Sequence, residues 1–231
     1  MNAFGVTFVV ALAVACALRW WLGARHLAHV AAHRTAVPPE FAGQIGLVAH
    51  QRAADYTSAK TRLGLFSVAM EALISLALTF GGGLNALHAV ATSLFDEGIA
   101  RGLALLAATG LVMTLIELPV SLYSTFRIEA RFGFNKMTPA LFWKDFFKGL
   151  LLAAALGLPL AAAVLWLMAR MGDYWWLYAW LTWMAFNLLI LAIYPTWIAP
   201  LFNKFIPMDN PAMKERIEAL LARCEIGRAH V

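Results

Sequence analysis

Apolar residues run through this chain in five long blocks, at residues 3–22, 63–83, 102–122, 149–169 and 174–194. A helix needs about 20 apolar residues to cross the hydrocarbon core of a bilayer. Each block is long enough, so the pattern predicts five transmembrane helices. The first block has a rival reading as a secretory signal peptide, which wants positive charge before the apolar part. Only Met1 and Asn2 precede it, while Arg19 and Arg25 sit at its far end. It is therefore read as an uncleaved span. Residues 171–173 are a very short link, which predicts an antiparallel hairpin of the fourth and fifth spans.

Polar intervals separate the blocks. Residues 23–62 hold an interfacial helix with His26, His29 and His33, a break at Val37-Pro38-Pro39, and a second helix over 44–60 that runs into the membrane. The second span closes at Gly81-Gly82-Gly83. Residues 84–96 read as a short helix at the outer surface. Tyr174, Trp175, Trp176, Tyr178 and Trp180 open the fifth span; such a cluster suits either a headgroup belt or plain helix packing. Pro195, Pro200 and Pro207 make residues 195–207 too broken for a span. After Asn210-Pro211, a cap pattern, Met213, Ile217, Leu220, Leu221 and Cys224 recur at helical spacing. That amphipathic stretch reads as the start of a water-soluble domain.

Charge placement sets orientation. Residues 23–62 contain five Lys/Arg and residues 127–148 another five, whereas 84–101 contain only Arg101. The segment after the fifth span is again basic. Basic and poor loops alternate as five helices require, so the positive-inside rule places the N-terminus outside and the C-terminal segment in the cytoplasm of a multi-pass cell (inner) membrane protein. Composition agrees: 62% of residues are hydrophobic and 13% charged, against about 25% charged in soluble domains. The net charge of +5 is spread over loops without a dense block, which argues against nucleic acid as a partner. Cys16 and Cys224 lie too far apart in context to suggest a disulfide framework. The partner read from composition is the lipid bilayer.

Candidate chemistry is sparse. His29 and His33 have the i, i+4 spacing of a metal pair, but none of the six histidines is followed by glutamate, so no His-Glu-x-x-His motif is present. No catalytic and no metal-binding residue is assigned, and the chain alone is expected not to hydrolyse peptides. Ionisable groups inside spans are costly and face a cavity or a partner. Glu71 and Glu117 are the two, with possible roles lining a water-filled chamber or pairing with neighbouring helices. Asn187 reads as an interhelical hydrogen bond. Arg127, Glu129, Arg131 and Lys136 read as anchors or structural ion pairs.

The interval 123–148, YSTFRIEARFGFNKMTPALFWKDFFK, cannot sit in lipid. It interleaves cations with aromatic rings, the mixture suited to a membrane–water boundary. Gly133 marks a break and Thr138-Pro139 a helix start. Ile128, Glu129, Phe132, Gly133, Phe134, Asn135, Lys136, Asp145 and Lys148 here, with Pro200, Leu201, Phe202, Asn203, Lys204 and Phe205 in PTWIAPLFNKFIP, resemble the type I CAAX prenyl proteases, over roughly residues 34–224. These are integral-membrane zinc metalloendopeptidases. The resemblance implies an N-terminal five-helix membrane region, an intramembrane chamber, a zinc site carried by a later domain, and a peptide or lipidated-peptide substrate. It transfers no catalytic or metal role to any position of this chain.

The expectation is thus an all-α polytopic membrane protein: residues 1–207 a membrane domain, 208–224 the start of a truncated zinc metalloprotease domain, and 225–231 a non-native tail. EIGRAHV matches one reading frame of a common sequencing adapter; a genuine frayed terminus is the alternative. The rival function is a non-catalytic polytopic protein, transporter-like or scaffold.

Overall fold

The structure is a computed structural model that describes residues 2–205 and 209–223. Every regular element among them is helical. Five helices are long and apolar enough to cross a membrane: Ala3–Ala32, Leu47–Thr79, Ile99–Phe132, Pro139–Arg170 and Gly172–Phe202. Each holds one apolar block of the sequence, except that the second block, 63–83, runs four residues past the helix end at Thr79. The calls on Pro207, Cys224 and residues 225–231 fall outside the described residues.

The chain divides into two units, one up to Trp143 and one from Lys144. The first opens with α1, Ala3–Ala32, whose N-terminus is capped by Asn2: its Oδ1 accepts the Gly5 N–H at 2.9 Å. The first span and the histidine segment are one helix, because Gly23 does not break it. A Cβ there would lie 2.6 Å from Leu65 Cδ2, so glycine makes room for Leu65 where α1 meets the next long helix. That helix, α2, covers Leu47–Thr79 without interruption. At 1.5 Å per residue it is about 50 Å long, against about 30 Å of hydrocarbon, so its charged first turns extend beyond the apolar layer. α1 and α2 run antiparallel, with Phe8 against Phe80 at one end and Arg34 against Asp55 at the other.

After Gly82, at φ +79°, the short helix α3 spans Gly83–Leu94. α4 follows at Ile99–Tyr123 and contains Pro119. The helix then widens into a π segment, Ser124–Glu129, and ends as α5, Ala130–Phe132. A π register near a proline is an ordinary response to a missing backbone donor. Gly133 adopts φ +81° and closes the end: its N–H donates to Ala130 O at 3.1 Å, and Phe134 N–H donates to Glu129 O at 2.9 Å. This pair of bonds is a Schellman cap. Thr138 Oγ1 then accepts the Leu141 N–H at 3.2 Å, and α6 begins at Pro139.

α6 continues to Arg170, so Lys144, Asp145 and Lys148 stand on the first turns of the fourth spanning helix. In the second unit a single 3₁₀ turn at Gly172–Tyr174 leads into α7, Trp175–Ile193. Residues 195–207 form no span of their own, but the helix does not stop at Pro195. The chain passes through a second π segment, Tyr194–Ile198, into α8, Ala199–Phe202, with Pro200 accommodated near the new helix start. Asn187 also departs from expectation: its Nδ2 donates to Trp183 O at 2.7 Å on its own helix, not to a neighbour. Trp176, Tyr178 and Trp180 are exposed at the start of α7. Last comes α9, Pro211–Arg223, with Asn210 Oδ1 accepting the Met213 N–H at 3.1 Å.

Very little of this is a buried core. Ala54, Ala91, Ile128, Phe132, Leu167 and Ile198 are the buried apolar side chains among the described residues. Many of the other large apolar side chains are exposed, as lipid-facing ones are.

Candidate functional site

The polar face of α2 organises the site. Arg52, Tyr56 and Lys60 recur every four residues, and Gly64, Ser67 and Glu71 extend the same stripe toward the apolar half. Each of the first three reaches the end of the α4–α5 helix. Arg52 Nη2 donates to Phe132 O at 2.6 Å, satisfying a carbonyl that the helix end leaves without a partner. Tyr56 OH donates to Glu129 Oε1 at 2.9 Å, and its ring meets Phe132 and Phe134 edge-on at 5.3 and 4.9 Å. Lys60 Nζ donates to the same Glu129 oxygen at 3.0 Å and to Ser124 Oγ at 3.0 Å. Glu129 is thus held by a phenol and an ammonium at once, and of Arg127, Glu129, Arg131 and Lys136 it is the one in an ion pair among the described residues. Ile128 and Phe132, its neighbours in sequence, are buried.

On the other side α2 is tied to α1. Arg34 makes a two-pronged bridge to Asp55, Nε to Oδ1 at 2.7 Å and Nη2 to Oδ2 at 2.9 Å. The hydrogen bond first, and the carboxylate charge second, raise the Arg34 guanidinium above its ordinary value. His50 Nε2 lies 2.9 Å from His33 O. His29 and His33 face each other with ring centroids 4.2 Å apart. Among the described residues no three His, Cys, Asp or Glu side chains come together in a way that could hold a metal.

Above the Lys60–Glu129 pair, α2 and α4 enclose an open cavity of about 390 Å³. Lys60, Ser67, Glu71, Glu117, Ser121 and Ser124 supply its polar lining. Glu71 also faces α1, where Arg19 Nη1 stands 3.6 Å from its Oε2. The two intramembrane carboxylates singled out from sequence therefore share one cavity, and one of them has an arginine partner as well. Sequence reasoning missed the serines and Lys60. Their signal was available in the spacing of polar residues along α2 and along 117, 121 and 124 of the next span, a stripe at helical period.

In the second unit the other motif repeats the same device. Lys148 Nζ donates to Leu201 O at 2.7 Å and lies 5.8 Å from the centre of the Phe202 ring. A cation on one helix caps the end of another, after a π segment, in both motifs.

Known proteins share both sequence and architecture with the chain. The profile of the CAAX prenyl protease N-terminal region, five membrane helices, matches residues 26–204. A CAAX prenyl protease 1 homolog of Caenorhabditis elegans is 35% identical over 193 residues, 83% of this chain and 43% of that protein. CAAX prenyl protease 1 of Saccharomyces cerevisiae is 30% identical over 200 residues, 82% of this chain and 44% of that protein. A rice homolog is 42% identical over 145 residues, 63% of this chain and 32% of that protein. The crystal structure of S. mikatae Ste24p superposes with a TM-score of 0.88 at 26% identity, covering 97% of this chain and 53% of that one. The chain spans less than half the length of each of these three curated relatives. Its helices, its two motifs and these likenesses agree: the chain belongs to the CAAX prenyl protease family, a multi-pass membrane protease family, and carries that family's N-terminal five-helix region.

Proposed function

We propose that this chain is the membrane part of a metalloendopeptidase that cleaves membrane-associated or prenylated peptides, and that Glu71 and Glu117 line a water-filled chamber serving that reaction. The observation that carries the reading is the cavity itself. Two carboxylates, an ammonium and three serines face one space between helices that are otherwise apolar. Charged groups at membrane depth are retained where water or a partner reaches them. A lipidated substrate fits the same logic, since exposing its chain costs about 0.8 kcal/mol per CH₂. A membrane-embedded space shelters the chain while the peptide meets water.

Zinc enters this proposal only through the whole protein. The residues described do not fit a zinc site, and no step is derived through a metal here. In the whole protein the ligands would come from the later domain that residues 208–224 would begin. The apolar stripe of Met213, Ile217 and Leu220 is exposed, which supports that reading. The orientation proposed is the one the basic loops favour, N-terminus outside and C-terminal segment cytoplasmic. A non-catalytic polytopic role, transporter-like or scaffold, is the second reading.

Two experiments separate the readings. Glu117→Cys, in membranes carrying the full chain, should react with a water-soluble maleimide; protection equal to that of a lipid-facing cysteine would remove the chamber. Reading the gene past codon 224 should reveal His-Glu-x-x-His, and its absence from an intact gene would favour the non-catalytic role.

A further inference from the structure

A second cavity, of about 590 Å³, opens beside the Lys60–Glu129 pair, between α2 and the π segment that ends the third spanning helix. Its lining carries three arginines, Arg62, Arg127 and Arg131, with Tyr123, and no carboxylate. All three arginines are exposed. Among the described residues no ion pair engages any of them. Arg131 lies with its guanidinium 5.6 Å from the centre of the Phe132 ring, and Asp55 is already held at both oxygens by Arg34. Glu129, adjacent in sequence, is turned to Tyr56 and Lys60. Like charges gathered around one space without compensation are unfavourable unless an anion joins them.

Position says where that anion would come from. Arg62 immediately precedes the apolar block of α2, and Arg127 and Arg131 follow the apolar block of α4. α2 leaves this side of the membrane and α4 returns to it, so the three stand at one bilayer surface. Leu63, Ile128 and Phe132 supply apolar wall next to the cations. Guanidinium forks match phosphate oxygens two at a time, and arginine is favoured where phosphate is recognised. Tyrosine at this depth is a headgroup-level residue.

We propose that this groove binds a phosphate group at the membrane surface, presented by the headgroup of an anionic phospholipid or by free phosphate. It stands independently of the chamber proposal, since it uses other residues and no protease activity.

The test uses the 231-residue chain purified in dodecyl maltoside. Dioleoyl-phosphatidylglycerol, dioleoyl-phosphatidylcholine and inorganic phosphate are added separately, and retained adducts and thermal stability are measured. A lipid site retains phosphatidylglycerol over phosphatidylcholine and raises Tm with it; a free-phosphate site raises Tm with inorganic phosphate alone. Arg62→Gln with Arg127→Gln should lower the preference by about 25-fold, from about fivefold for each basic side chain beside an anionic lipid surface. The control pair Arg25→Gln with Arg170→Gln, outside the groove, should leave it unchanged. Arg62→Lys with Arg127→Lys keeps charge but loses the fork, so it retains a reduced preference and stands in if the glutamine pair does not fold. A wild-type chain that discriminates neither lipid nor phosphate overturns the proposal. So does a preference that survives the glutamine pair intact.

Discussion

Replacing Gly133 by valine tests the cap that ends the third spanning helix. The residue sits at φ +81°, where L side chains are strained. A Cβ would meet only Arg52 Nη2, at 3.2 Å, the far end of a flexible side chain. The steric part is therefore small, and the backbone conformation carries the cost. Left-handed backbone costs about 1–2 kcal/mol for residues with a Cβ. The chain could escape it by leaving that conformation, but it would then lose both cap bonds, at Ala130 O and Glu129 O. Two ordinary hydrogen bonds are worth about 1–3 kcal/mol together. The two routes are comparable, so staying in place at about 1–2 kcal/mol sets the expected loss. For a chain of 150–250 residues this lowers Tm by about 2–8 °C. The assay is thermal unfolding of the detergent-purified chain, followed by the fluorescence of its nine tryptophans. Gly133→Asn should fall less, because asparagine tolerates this region. Wild-type Tm for Gly133→Val would refute the reasoning, and so would an Asn variant as unstable as the Val variant.

Three further outcomes follow from other contacts. Gly23→Leu should destabilise by about 1–3 kcal/mol, because Leu65 already fills the space a side chain would take; a wild-type melting profile would mean α1 and α2 do not pack there. Glu129→Met should lower Tm by a few degrees by leaving Lys60 and Tyr56 without their acceptor, and adding Lys60→Met should restore part of the loss; no coupling in the double-mutant cycle would dismiss the pair. With five spans, thiol reagents confined to the cytoplasmic side should reach Cys224, whereas labelling from the exterior alone would break the proposed orientation.

Recognition of the family rested on two short motifs, and the structure gives a physical account of why they are informative. IEARFGFNK contains a helix end, a left-handed glycine and an acid that must meet a lysine 69 residues away. The second motif contains a π segment and a carbonyl that Lys148 caps from 53 residues away. Such requirements restrict residue types at fixed spacing. Pro195 says less about where the fifth helix ends, for the opposite reason. A proline signals a missing donor, but whether the helix stops or widens into a π register depends on packing around it, which no local pattern encodes.

The sequence alone determined the number of spans, their approximate centres, the break at Gly133 and the caps at Thr138 and Asn210. Each is decided within a turn or a stretch of about 20 residues, by desolvation of side chains and by local backbone geometry. Tertiary structure decided where the helices truly end, that Glu71 meets Arg19, that Arg52 closes the carbonyl of Phe132, and that three arginines share one groove. Those outcomes join segments tens of residues apart. The polar stripe along α2 marks a contact face in the sequence, but which residue of another helix meets each position depends on how α1, α2 and α4 pack, and that no local pattern encodes.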